Sequence, residues 1–196
     1  MNKWFLPIIL AVILEMSVAA QAFDGQRKGF IIGGGLGMGL SSYAQSFETN
    51  RHRYIIDRID KGALISDFKV GYAPTKRIEI YYTSKFSWFR MTNAIGDNVI
   101  VADGISGLGV SRYFRSTIPA WFLSGGIAMS TWSLPFEGNS SAWRGFGFYV
   151  GGGYEFTRHL DVEANLIWAR PNLTENGVKA TTYSLSWKFT LNVLAY

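Results

Sequence analysis

Lys28-Gly29-Phe30-Ile31-Ile32-Gly33-Gly34-Gly35-Leu36-Gly37-Met38-Gly39-Leu40 places Phe30, Ile32, Leu36, Met38 and Leu40 on even positions and Gly29, Gly33, Gly35, Gly37 and Gly39 on odd ones. A period of two belongs to a β-strand, whose successive side chains point to opposite faces. A soluble sandwich would bury its bulky residues and leave polar ones outside. Here one face is bulky and apolar and the other is nearly bare, as a strand needs if its bulk meets lipid and its backbone lines a narrow barrel.

The same alternation recurs seven times. Leu64, Phe68, Val70 and Tyr72 face away from Asp67, Lys69 and Gly71. Ile78, Ile80, Tyr82, Phe86 and Trp88 face away from Arg77, Glu79, Tyr81, Thr83, Lys85 and Ser87. Further segments run through Leu108–Phe114, Trp121–Ser130, Gly145–Phe156 and Leu160–Trp168. The last sets Tyr183, Leu185, Trp187, Phe189, Leu191 and Val193 against Thr182, Ser184, Ser186, Lys188, Thr190 and Asn192. Eight segments of about ten residues predict an all-β fold, an eight-stranded antiparallel up-and-down transmembrane β-barrel, since an open sheet edge in lipid would leave backbone groups unpaired.

The connections at 73–76, 115–119 and 157–159 are short, whereas Ser41–Gly62, Met91–Val99, Ser133–Arg144 and Pro171–Ala180 read as long loops. Short periplasmic turns opposite long external loops are the layout of outer-membrane barrels, which predicts that both termini lie in the periplasm.

Met1-Asn2-Lys3 precedes an uncharged, largely apolar run from Trp4 to Leu14, and Ala20-Gln21-Ala22 has the small residues of a cleavage site. Residues 1–22 are therefore expected to be a signal peptide and residues 23–196 the barrel domain. Beyond residue 23 no apolar run approaches the roughly 20 residues of a membrane helix. The chain has no cysteine, so no disulfide framework is available. Its 17% charged residues fall below the usual fraction of about 25%, while 22 glycines and 16% aromatics suit a lipid-facing sheet. The net charge of +5 comes from scattered Lys and Arg, and export argues against nucleic acid as a partner. A basic surface beside anionic lipid or lipopolysaccharide accounts for it more economically.

With its signal segment, eight alternating segments, glycine-rich first strand Ile32-Gly33-Gly34-Gly35-Leu36-Gly37 and aromatic Tyr196, the chain resembles the small outer-membrane β-barrels: the OmpA transmembrane domain, OmpX and the opacity-type surface proteins. The resemblance covers Phe23 to Tyr196. It implies an integral outer-membrane protein of a Gram-negative cell, inserted by the barrel-insertion machinery that reads an aromatic-ended last strand. Tyr196 departs from that pattern, because the outward phase of the last segment runs through odd positions. The OmpA-type cell-wall tether is not expected, since the sequence carries no segment for it after the eighth strand.

The inward positions hold the acids Asp67, Glu79, Glu155 and Glu163 and the bases Lys69, Arg77, Lys85 and Lys188, which are expected to pair across the lumen and fill it. Arg51, His52, Arg53, Arg58 and Lys61 cluster in the first long loop with Tyr54, Ile55, Ile56 and Ile59, and could meet lipopolysaccharide phosphates or an extracellular ligand. Equally, the strands could extend there as a hairpin. Asp57, Asp60 and Asp103 read as solvated carboxylates near the outer rim. Neither His52 nor His159 stands beside a nucleophile pattern. The glycine runs lack the Gly-Lys-Ser/Thr of a phosphate loop, and no metal or cofactor is expected. The function expected is a structural or surface-interaction role without catalysis. Two alternatives stay open: an enzyme modifying lipid A or phospholipid, and a narrow transporter of small or apolar solutes.

Overall fold

The computed structural model describes residues 26–49, 52–92, 96–138, 141–175 and 177–196. The leader expected over residues 1–22 and the loop residue Arg51 lie outside the described residues. Eight strands make up the fold: β1 (Gly29–Glu48), β2 (Arg53–Thr75), β3 (Ile78–Thr92), β4 (Asn98–Tyr113), β5 (Ala120–Ser133), β6 (Trp143–Thr157), β7 (Leu160–Glu175) and β8 (Val178–Ala195). Each pairs antiparallel with its neighbour in sequence, and β1 pairs with β8 to close the ring. Closure leaves no edge strand, which a sheet surrounded by lipid requires.

The stagger of the ring can be read from its register. Opposed residues lead from Leu36 through Ser66, Phe86, Gly104, Thr131, Arg144, Asn172 and Thr181 back to β1 at Ser46, ten residues further along. With a rise of about 3.3 Å per residue and a strand spacing of about 4.8 Å, this tilts the strands by roughly 40°.

The two faces are inverted relative to a soluble protein. Outward Leu36 is 75% exposed and Leu64 71%, whereas inward Lys85 and Glu79 are each 1% exposed. Such a surface is stable only when lipid replaces water around it. Aromatic residues bracket the outward band: Phe30, Tyr72, Phe114, Trp121 and Phe156 toward the short turns, and Phe86, Trp88, Phe146, Trp168 and Trp187 toward the other end. Such girdles mark the two interfaces of a membrane barrel.

Two expectations are corrected. Most of the long loops are strand, the first of them taking the hairpin reading: β1 and β2 run on as a paired hairpin to Glu48 and Arg53, and β7 and β8 to Glu175 and Val178. β2 has 23 residues where roughly 9–11 suffice to cross a bilayer, so the surplus projects from one end. The outward row of β1 turns from Leu36, Met38 and Leu40 to Ser42, whose hydroxyl donates to Asp60 on β2. That switch marks the rim of the apolar band. The second correction is Arg77, which is exposed in the turn between β2 and β3 and does not enter the lumen. Arg77 closes the two-residue turn one position before β3, and its carbonyl accepts from the Tyr113 amide at 2.8 Å.

Candidate functional site

The lumen is layered. At the turn end, Arg27 precedes β1 and folds under the barrel, with Nε 2.7 Å from Glu155 Oε2. Its Nη1 donates to the carbonyls of Lys76 at 2.6 Å and Arg115 at 3.1 Å, and its guanidinium lies 4.0 Å from the Tyr113 ring centroid. One side chain thus ties together two turns and the end of β6. Tyr196 points inward as its phase requires, and its hydroxyl donates to Glu155 Oε1 at 3.2 Å.

Above this lie Lys69 and Glu79, 4.0 Å apart, and the Tyr149 hydroxyl, which donates to that of Tyr81 at 3.0 Å. Gly109 makes room for the tyrosines, since a Cβ there would collide with the Tyr149 hydroxyl and the Tyr81 ring. At mid-height Lys85 pairs with Asp67 and, at 3.2 Å, with Glu163, which also accepts from Ser124 Oγ at 2.6 Å. Lys188 donates to the Lys85 carbonyl at 2.9 Å.

Asp103 is corrected from the outer rim to the interior. It is 1% exposed on β4, and its Oδ2 accepts from Ser41 and Ser184, each at 2.6 Å. Among the described residues the buried charges are six acids, Asp67, Glu79, Asp103, Glu155, Asp161 and Glu163, and four bases, Arg27, Lys69, Lys85 and Lys188. Seven of the eight inward residues expected from the sequence are therefore in the lumen. Arg27, Asp103 and Asp161 complete the set. Asp161 shares the inward phase of Glu163, so alternation alone could have found it.

Over the polar layers lies an apolar lid. The ring centroid of Tyr43 is 4.7 Å from that of Trp132 and 5.7 Å from that of Phe89, with Ile65 and Val101 packed beside them. Above the lid, the hairpin end opens as a cup of about 470 Å³ lined by Gln45, Phe47, Met91, Trp132, Trp143 and Leu173 among others.

The basic cluster of the first hairpin is not gathered at one point. Arg53 opposes Glu48, Lys61 opposes Ser41, and Arg58 lies 3.7 Å from Asp60. Eight residues separate Arg53 from Lys61 along one strand, a span of about 27 Å. His52 is exposed before β2, and its amide donates to Thr49 Oγ1. His159 sits in the β6–β7 turn at the opposite end, its Nδ1 2.9 Å from the Leu194 carbonyl. The two histidines cannot share a site.

No family model matches the chain, and no curated protein matches it. Solved structures do. The outer membrane protein OprG of Pseudomonas aeruginosa superposes with a TM-score of 0.52 at 10% identity, over 87% of this chain and 97% of that one. Neisserial surface protein A gives 0.49 at 13% identity, over 85% and 96%. Ail, the attachment invasion locus protein of Yersinia pestis, crystallised with the heparin analogue sucrose octasulfate, gives 0.37 at 9% identity, over 81% and 98%. With its closed ring, inverted faces and OprG-like path, the chain has the fold of the small bacterial outer-membrane β-barrels.

Proposed function

We propose that the chain is an integral outer-membrane protein whose barrel does not conduct and whose role, structural or surface-interacting, is carried by the hairpin end. In this reading a precursor is cut after Ala22, residues 23–196 are inserted by the barrel-insertion machinery, and both termini and the short turns face the periplasm.

The observation that supports it most directly is contact across the full width of the lumen. Lys85 on β3 meets Glu163 on β7, and Tyr43 on β1 meets Trp132 on β5, pairs of strands that stand opposite in a ring of eight. Side chains that touch across the diameter leave no continuous water column, and general porins use barrels of about 16 strands to obtain one. The projecting hairpins and the apolar cup are then the parts left to meet partners outside the bilayer.

Planar-bilayer recording of the purified full-length barrel is expected to show no steady conductance. Protease added to intact cells is expected to cut within the β1–β2 or β5–β6 connections and to spare the turns. Persistent porin-scale openings would overturn the closed lumen, and protection of the hairpins would overturn the orientation.

A further inference from the structure

Toward the hairpin end, the outward face of the barrel carries two neighbouring arginines. Arg144 on β6 and Arg170 on β7 follow the outward phase of Phe146 and Trp168, and both are exposed. Arg144 opposes Asn172, and Phe146 opposes Arg170, so the two arginines are diagonal neighbours on one face, about 7–8 Å apart at Cα. Neither forms an ion pair with a described residue. Adjacent like charges on a sheet destabilise it, whereas an anion held between them reverses the sign.

The surroundings say what carries that anion. The Arg170 guanidinium lies 5.0 Å from the ring centroid of Tyr183 on β8, which restrains its long side chain. Directly toward the middle of the bilayer, Trp168 stacks on Phe148 at 5.4 Å and lies 6.5 Å from Phe146. The pair therefore stands at the headgroup edge of an aromatic step facing hydrocarbon, where a ligand with chains below and a phosphate above fits both halves. Guanidinium forks bind phosphate bidentately.

We propose that Arg144 and Arg170, steadied by Tyr183, seat the phosphate of a lipid headgroup in the leaflet from which the hairpins emerge. The site rests on the outer-membrane reading only for the identity of that leaflet, where phosphorylated glycolipid such as lipid A would be the occupant. The first-hairpin bases expected from the sequence to do this are strung along β2 and interleaved with Asp57 and Asp60. Arg144 and Arg170 have no acid between them.

The test is native mass spectrometry of the full-length barrel, titrated with diphosphoryl lipid A, with the same lipid stripped of its phosphates, and with inorganic phosphate. One phosphorylated lipid is expected to bind per barrel. Binding should weaken about tenfold in Arg170→Gln and further in Arg144→Gln/Arg170→Gln, and Arg170→Lys should retain part of it. Arg112→Gln, an outward arginine at the turn end, should bind like wild type. The stripped lipid should bind at least about tenfold more weakly than the phosphorylated one, and inorganic phosphate should not displace the lipid. Equal binding of both lipids, undiminished binding to the double variant, or displacement by inorganic phosphate would each overturn the site. Should the double variant fail to give the heat-sensitive gel mobility of a folded barrel, the single variants decide. Loss of orientation in the protease experiment would move the site to the other leaflet without abolishing the binding measured here.

Discussion

Lys85 Nζ lies 3.2 Å from Glu163 Oε2 across the barrel and also pairs with Asp67, so one ammonium joins β2, β3 and β7 at mid-height. Both acids are buried, and among the described residues neither has a second base as close. Removing the ammonium leaves two carboxylates facing each other in a low-dielectric interior. Lys85→Met is expected to lower unfolding free energy by about 3–5 kcal/mol, read by urea unfolding in lipid vesicles. Asp67→Asn should cost less, because Lys85 keeps Glu163. A neutral Lys85→Met would show that the pair contributes nothing to holding the strands.

Arg27 makes a second, independent fastening at the turn end. Its bonds run to the Lys76 and Arg115 carbonyls and its charge to Glu155, so its loss should loosen the turns and leave mid-barrel strands unaffected. Arg27→Ala is expected to raise amide hydrogen exchange in the 76–77 and 114–119 turns about 10- to 100-fold, the equivalent of about one charge-assisted hydrogen bond. Exchange in β1 at Gly35–Gly39 should not change. A uniform rise along the chain would mean that Arg27 supports global stability instead.

How much of this was legible in the sequence depends on contrast between the two faces. Parity alone sets Tyr196 out of step with the outward row of the last strand, and its hydroxyl is found inside, on Glu155. The aromatic lid obeys the same parity: Tyr43 continues the row of Gly39 and Ser41, Phe89 that of Lys85 and Ser87, and Trp132 that of Ala128 and Ser130. It went unread because the outward residues beside it, Ser42, Arg90 and Ser133, have already left the hydrocarbon and turned polar. With the apolar side gone, alternation reverses its meaning and the strand looks like loop. For the same reason the sequence leaves Ser41–Gly62 open between loop and hairpin, and makes Asp103 look like a rim carboxylate. Arg27 carried no such signal, since it lies before the first strand and its partners at 76, 115 and 155 are brought near only by closure of the ring.

The inward glycines are not equivalent to the outward ones. A Cβ on Gly109 would strike the Tyr149 hydroxyl and the Tyr81 ring, whereas on outward Gly34 it would meet only the Asp67 carbonyl at 3.7 Å. Gly109→Ala must push apart the hydrogen-bonded tyrosines, an overpacking expected to cost about 1–3 kcal/mol. Gly34→Ala should stay within about 0.5 kcal/mol of wild type. Unfolding of both variants in the same vesicles checks the contrast, and equal effects would mean that the lumen is loose enough to repack around a methyl group.

The lid and the charge network lie in series along the lumen, and a single substitution can separate them. Trp132 fills the centre of the lid between Tyr43 and Phe89, its ring centroid 5.7 Å from that of Phe89. Trp132→Ala removes a large buried ring and should cost about 3–5 kcal/mol, while joining the space it leaves to the cup above. Beneath it, Asp103 still accepts from Ser41 and Ser184, and Lys85 still spans to Glu163. An ion entering from the hairpin end would then have to break a bonded layer that the substitution has not touched. Planar-bilayer recordings of Trp132→Ala are therefore expected to stay as silent as wild type, although the variant unfolds at lower urea. Steady openings in Trp132→Ala alone would mean that the aromatic layer is the sole barrier and that the buried charges below it let ions pass.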